Sequence, residues 1–494
     1  MGPYERIKGH EYEDDDDEKI GAAGRILLVD QKKKIIRGRS DDDVHKDKDK
    51  DIEMGLYAKA KANNPNASAS AASCSSSFTS KSHHHHQKQL HRLISLDVFR
   101  GLTVALMIFV DDAGGVLPAV NHSPWNGLTL ADFVMPFFLF IVGVSLSLTY
   151  KKLSCRADAT RKATLRTLKL LLLGLFLQGG FLHGLNDLTY GVDIEHMRWT
   201  GILQRIAVAY FVAALCEIWL KAGDENIDSR LSMLRKYGFQ WAVALLLTTI
   251  YLSLLYGLYV PSWEYQIPVG TSVSPPKIFS VKCGVRGNTG PACNAVGMID
   301  RKIFGIQHLY RRPVYSRTKQ CSINSPDYGP LPADAPSWCQ APFDPEGLLS
   351  YNFLLRGCSS VMAIVTCLVG LHYGHIIVHL KDHRDRILHW MIPSSSLVVL
   401  GLALDLLGMH LNKPLYTLSY MCFTAGAAGI LFVGIYIMVD VCGYRRMTVL
   451  MEWMGMHALM IYILAACNVL PVVLQGFYWR QPQNNILRLI GIGK

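Results

Sequence analysis

Leu130-Ala131-Asp132-Phe133-Val134-Met135-Pro136-Phe137-Phe138-Leu139-Phe140-Ile141-Val142-Gly143-Val144-Ser145-Leu146-Ser147-Leu148-Thr149 is a twenty-residue run with one ionisable side chain, and Lys151-Lys152 follow it closely. A helix needs about 20 largely apolar residues to cross a bilayer. Lipid offers backbone groups no partners, so a spanning segment is either a helix or part of a closed barrel. Barrel strands would be shorter and would alternate in polarity, which this run does not. It therefore predicts a membrane-spanning helix.

Similar runs recur at 94–112, 165–183, 200–220, 238–260, 348–378, 388–407, 415–440 and 447–466. A further apolar piece, 467–479, is short and interrupted by Pro471. The expected fold is all-α: a polytopic transmembrane helix bundle of about nine to ten spans. Its mate is a polar segment, residues 1–90, with acidic and basic runs, an Asn/Ala/Ser-rich stretch and His83–His86. Such a segment buries too little apolar surface to offset chain entropy and reads as a disordered tail. The expected division is thus a tail (1–90), a transmembrane domain (91–480) holding one long loop (261–347), and a divergent or truncated C-terminus (481–494). The first residues carry acidic runs where a secretory signal would be basic and then apolar, so the run near residue 93 is expected to act as an uncleaved signal-anchor.

The chain has 494 residues, half of them hydrophobic, and a formal charge of +11. Basic proteins often bind nucleic acid, but that needs one continuous basic face. Here Lys151, Lys152, Arg156, Arg161 and Lys162 follow the second run, and Lys221, Arg230, Arg235 and Lys236 follow the fourth. Lys381, Arg384 and Arg386 follow the sixth, and Arg445-Arg446 the eighth. Basic short loops face the cytosol. The tail is then cytosolic, no nucleic acid is expected, and the 261–347 loop lies on the lumenal or extracellular side. That loop holds Cys283, Cys293, Cys321 and Cys339, which can form two disulfides in an oxidising compartment. Their spacing does not suit zinc, and no metal is expected.

Ionisable groups inside a membrane cost roughly 2.5–3.5 kcal/mol each at a helix centre, so they are functional candidates by default. Asp97 and Arg100 stand three apart and can pair along one helix face. The densest group is Asp111-Asp112-Ala113-Gly114-Gly115, then Asn121-His122-Ser123-Pro124-Trp125-Asn126-Gly127-Leu128-Thr129-Leu130-Ala131-Asp132. His122 is a titratable imidazole just outside the apolar layer, with two carboxylates ten and eleven residues earlier. A carboxylate that holds one ring nitrogen frees the other to act as base or nucleophile. His122 is the expected base or nucleophile, with Asp111 or Asp112 available to hold its ring. Asp132 has a plainer role available as a cap of the second helix. Gln204-Arg205, Asn412-Lys413 and Asp344-Pro345-Glu346-Gly347 mark further ends of spans; Arg205 suits a phosphate or carboxylate, and the last group could simply cap a helix.

These blocks carry a resemblance. Ser95-Leu96-Asp97-Val98-Phe99-Arg100-Gly101, the segment from Asp111 to His122, Trp125 to Asp132, Leu203-Gln204-Arg205-Ile206, Asp344 to Gly347 and Leu411-Asn412-Lys413-Pro414-Leu415-Tyr416-Thr417-Leu418-Ser419-Tyr420 together resemble the heparan-alpha-glucosaminide N-acetyltransferase family, in its plant-type branch. The resemblance runs from about residue 91 to 480. It implies a multi-pass acetyltransferase of lysosome- or vacuole-like membranes, moving acetyl from acetyl-CoA to the free amine of a terminal glucosamine. It also places the family's catalytic His at His122. The family's partner Asn falls at Asp111, a departure that adds a charge beside the imidazole. Asp112, Asn121, Trp125, Asn126, Asp132, Gln204, Arg205, Asn412 and Lys413 become the expected binding residues.

Residues 351–359 look inserted, His457 stands where relatives show Asn, and a last spanning helix is expected beyond Lys494. The expected partners are an amino-sugar or oligosaccharide acceptor and the lipid bilayer; a homo-oligomer is compatible with both. Two other readings stay open: a proton-coupled transporter, which uses the same intramembrane residue types, and an inactive membrane scaffold.

Overall fold

The computed structural model describes residues 93–114, 117, 120–151, 155–178, 201–220, 235–267, 277–309, 313–340 and 358–467. The sequence-predicted tail, Asp344–Gly347, the 351–357 part of the insertion and the 467–479 piece beyond its first residue lie outside the described residues.

Each of the nine apolar runs is helical over most of its described residues. They are α1 (Ile94–Ala113), α2 (Val134–Thr149), α3 (Arg156–Gln178), α4 (Ile202–Trp219), α5 (Gly238–Gly257), α7 (Cys358–His379), α8 (His383–Leu406), α9 (Leu418–Tyr436) and the pair α10 (Val449–Met456) and α11 (Ala458–Ala466). The polar insertion between α5 and α7 contributes α6 (Ala295–Phe304) and four short strands, β1 (Tyr259–Val260), β2 (Trp263–Ile267), β3 (Lys277–Val281) and β4 (Val285–Arg286). These pair antiparallel, β1 with β4 and β2 with β3.

The helices differ in how apolar they are. Among the described residues, six helices are long and apolar enough to cross a membrane, and a seventh span arises if α10 and α11, bent by 75° at their junction, are counted together. The physical reason is charge. Helix α1 carries Asp97, Arg100, Asp111 and Asp112, and α3 carries Arg156, Asp158, Arg161, Lys162, Arg166 and Lys169. Part of that charge is internally matched, since Arg100 donates to Asp97 at 3.0 Å and to Ser145 of α2 at 3.0 Å.

Small residues let the central helices touch backbone to backbone. A β-carbon on Gly143 of α2 would overlap the Cys367 carbonyl of α7, and one on Gly370 would overlap the Phe140 carbonyl. Close packing of this kind replaces the hydrophobic drive that lipid cannot supply. Around it sit Phe140, Tyr373, Trp390, Phe432 and Tyr436, all essentially without solvent contact. Their rings meet edge to face, Phe140 on Tyr373 at 4.9 Å and Trp390 on Tyr436 at 4.9 Å, the arrangement that ring quadrupoles favour.

A second polar knot ties α4, α5 and α7 together. Glu217 Oε2 accepts from Gln240 at 3.0 Å and meets His375 Nε2 at 2.8 Å. Tyr237 stacks on the His375 ring at 3.7 Å.

The segment between α5 and α7 caps the bundle at the end where α1 stops and α2 starts. Disulfides Cys283–Cys293 and Cys321–Cys339 close it. The four cysteines grouped by sequence are thus bonded in two local pairs.

Candidate active site

The chain between α1 and α2 has little regular structure and ends in a 3-10 turn, Leu130–Phe133. That turn opens with a capping box, in which Thr129 and Asp132 satisfy each other's backbone. Asp132 is 1 % exposed. Its Oδ2 accepts from Thr129 N at 3.1 Å, Thr129 Oγ1 at 3.0 Å and Ser123 N at 3.2 Å. Oδ1 is left over for function, and it lies 2.9 Å from His122 Nδ1 and 3.3 Å from Lys413 Nζ. Five donors converge on one carboxyl group, so it is an acceptor only. In the tautomer that donates to this oxygen, His122 Nδ1 carries the proton and Nε2 keeps the lone pair.

The expected carboxylate partner of His122 was Asp111, and this needs correcting. Asp132 holds the ring. Asp111 instead lines the same cavity as His122 and Lys413, from the last turn of α1. The reason is local: the 3-10 turn folds Asp132 back over the loop that carries His122, so the capping residue and the ring partner are one side chain. Asp112, beside it, is exposed.

Lys413 comes from the loop between α8 and α9. Its Nζ stands 2.8 Å from His122 Nδ1 and 3.3 Å from Nε2, so it lies against the ring and bridges it to Asp132. Burial is the main influence lowering the Lys413 pKa, with Asp132 opposing it. His122 is also pushed below its ordinary value, by burial first and the nearby Lys413 cation second, again against Asp132. Two basic groups share one acid, and burial together with their mutual repulsion holds both below their ordinary values.

Asn412 fixes the position of that lysine. It is 1 % exposed. Its Nδ2 donates to the Trp125 carbonyl at 3.1 Å and to Asn126 Oδ1 at 3.2 Å, while its Oδ1 accepts from Leu415 N at 2.8 Å. The Gly127 N–H adds a 2.8 Å bond to the Leu411 carbonyl. The two loops are stitched into a short bridge between Asn126 and Asn412. Trp125 is a strut: its indole N–H donates to the Thr289 carbonyl of the capping segment at 3.1 Å. Asn121 holds the backbone, its Oδ1 accepting from His122 N at 2.8 Å.

Gln204 and Arg205 lie on the first turn of α4. Arg205 reaches Met135 Sδ at 4.0 Å and places its charge near Lys413. Gln204 is buried against α3, where Gly174 leaves room for it. Sequence reasoning missed Arg317, which donates to the His122 carbonyl from the capping segment. It also missed Tyr462 of α11.

The cavity at His122 has a volume of about 170 Å³. A larger one, about 320 Å³, lies toward the opposite end of α1 and α2, with Arg100, Arg166, Ser145 and Tyr210 among its lining residues. Phe138, Ile202 and Tyr462 line both. The two hollows are therefore separated by a layer of shared side chains.

Residues 92–227 match the family model described as heparan-alpha-glucosaminide N-acetyltransferase, catalytic. Over that region the chain is similar to the heparan-alpha-glucosaminide N-acetyltransferase family. It is 29 % identical over 393 residues to the heparan-alpha-glucosaminide N-acetyltransferase of Mus musculus, covering 76 % of this chain and 53 % of that protein. The Homo sapiens protein of the same name is 28 % identical over 392 residues, covering 75 % and 52 %. The chain thus spans about half the length of the curated relatives it matches. The matched region takes in His122, Asp132, Arg205 and the three aspartates of α1. Asn412 and Lys413, which complete the site, lie outside it.

Proposed function

We propose that this chain is a transmembrane N-acetyltransferase, taking acetyl from acetyl-CoA and delivering it to the free amine of a glucosamine-like sugar. The observation that carries this reading is His122, held from behind by Asp132 and flanked by Lys413, opening on a cavity backed by a second, basic-edged cavity. The larger cavity suits the donor: Arg100 and Arg166 are fixed cations for phosphate groups. The smaller one then receives the acetyl end and the acceptor.

In direct transfer, His122 Nε2 takes a proton from the acceptor ammonium. The amine nitrogen attacks the thioester carbonyl, the C–S bond breaks, the thiolate leaves with the second amine proton, and imidazolium returns its own proton to solvent. In the double-displacement version Nε2 itself attacks first, giving an acetyl-imidazole and free thiol, and the amine then takes the acetyl group. In both, Asp132 orients the ring and stabilises imidazolium, and Lys413 is placed to donate to the carbonyl oxygen as negative charge builds there.

The basic short loops and the two disulfides support one orientation: N-terminus cytosolic, with the His122 end and its capping segment facing a lysosome- or vacuole-like lumen. Donor and acceptor would then approach from opposite sides.

Purified protein given acetyl-CoA and a panel of hexosamines should form N-acetyl product, and His122→Ala should abolish it. Retention of full activity by that variant would end this reading. Mass spectrometry of protein incubated with acetyl-CoA alone separates the schemes, since only double displacement leaves an acetylated His122. The adjoining cavities also favour a second reading, a proton-coupled carrier. Uptake of labelled sugar into vesicles without acetylation would select it.

A further inference from the structure

The segment between α5 and α7 grips the His122 loop at three points. Thr289 accepts from the Trp125 indole. Tyr315 sets its ring edge-on to Trp125 at 6.3 Å, with Trp338 behind it at 5.5 Å. Arg317 donates through Nη2 to the His122 carbonyl. Disulfide Cys321–Cys339 joins the two stretches that present these side chains. Arg317 is only 2 % exposed, its guanidinium lies 5.6 Å from the Tyr328 ring centre, and its Nε finds no partner among the described residues.

A buried cation whose hydrogen bond among the described residues goes to a backbone carbonyl, with one ring beside it, is an expensive way to hold a loop. An uncharged donor would hold the carbonyl equally well. What the charge adds is a positive field on the imidazole whose carbonyl it binds.

We infer that Arg317 is a positioning residue for His122: it fixes the loop that carries the ring, and its charge helps keep that ring unprotonated. It touches neither cavity, so it is not a catalytic residue. The groups around His122 are Asp132 on the 3-10 turn, Lys413 on the α8–α9 loop, Asp111 at the end of α1, and Arg317 on the capping segment. Only Arg317 acts from behind the backbone. The kinetic part of this inference rests on the acetyltransferase reading; the effect on the ring does not.

The test uses the full chain with both disulfides verified by mass spectrometry. Diethyl pyrocarbonate modifies only neutral imidazole, so the pH midpoint of its reaction at His122, read by peptide mass spectrometry, reports protonation without any catalysis. Arg317→Met should raise that midpoint by about half a pH unit or more. It should also lower kcat roughly tenfold or more through misplacement, with both KM values within about twofold. Arg317→Lys keeps the cation but loses the fork, so it should leave the midpoint as in wild type while still lowering kcat. An unchanged midpoint in folded Arg317→Met overturns the inference. If that variant fails to fold, Arg317→Lys decides, and wild-type kcat in it overturns the inference. A shifted midpoint in protein with no acetyl transfer would sink the functional reading and leave Arg317's role standing.

Discussion

Asp132 and His122 meet through one carboxylate oxygen at 2.9 Å, while the other oxygen of the same carboxylate caps the turn that begins α2. The ring that the chemistry needs and the helix start that the fold needs are therefore served by one buried group. Lys413 closes the set at 3.3 Å from the functional oxygen.

Asp132→Asn should lower kcat by roughly a hundredfold or more, because an amide can present its NH2 to Nδ1 and favour the wrong tautomer. Asp111→Asn should cost less than about tenfold, since Asp111 lines the cavity without holding the ring. Steady-state rates with acetyl-CoA check both. Equal losses would return Asp111 to the role that the sequence suggested.

Acetyl transfer needs His122 neutral, and burial with Lys413 lowers its pKa from the ordinary 6.5. The acid limb of kcat/KM should therefore fall below about pH 6.5, activity rising as pH climbs through the lowered value. Lys413→Met removes one of the lowering causes, so the limb should move to higher pH. Loss of the oxyanion donor should also reduce kcat at the plateau. A pH–rate profile of each protein measures this, and a limb that moves down would contradict it.

Glu217 is buried among α4, α5 and α7, where it receives Gln240 and His375. Glu217→Ala strands both partners and should destabilise the bundle by about 3 kcal/mol. Glu217→Gln keeps a carbonyl acceptor and should cost less. Thermal unfolding in detergent, followed by intrinsic fluorescence, ranks the two.

The helices were legible because lipid enforces a crude rule: an apolar run of about 20 residues has one stable backbone. Which helices cross was less legible for α1 and α3, because they carry charges that composition alone does not sort. His122, Asn412 and Lys413 could be picked out as polar groups at the ends of apolar runs. Which acid would hold the imidazole was not readable. Asp111 and Asp132 lie at similar distances along the chain from His122, and only the 3-10 turn at Leu130–Phe133 decides between them. Arg317 was invisible for a different reason. It lies 195 residues from His122, in a segment with no period, among other basic residues such as Lys319.

The double duty of Asp132 bears on how such a protein can decay. A lineage released from the need for acyl transfer can discard His122 freely, since no helix depends on that ring. It cannot discard the acid without unpicking the start of α2. Relaxed selection should therefore erode the base first, and a retired copy of this scaffold would betray its history by an aspartate left guarding an empty place.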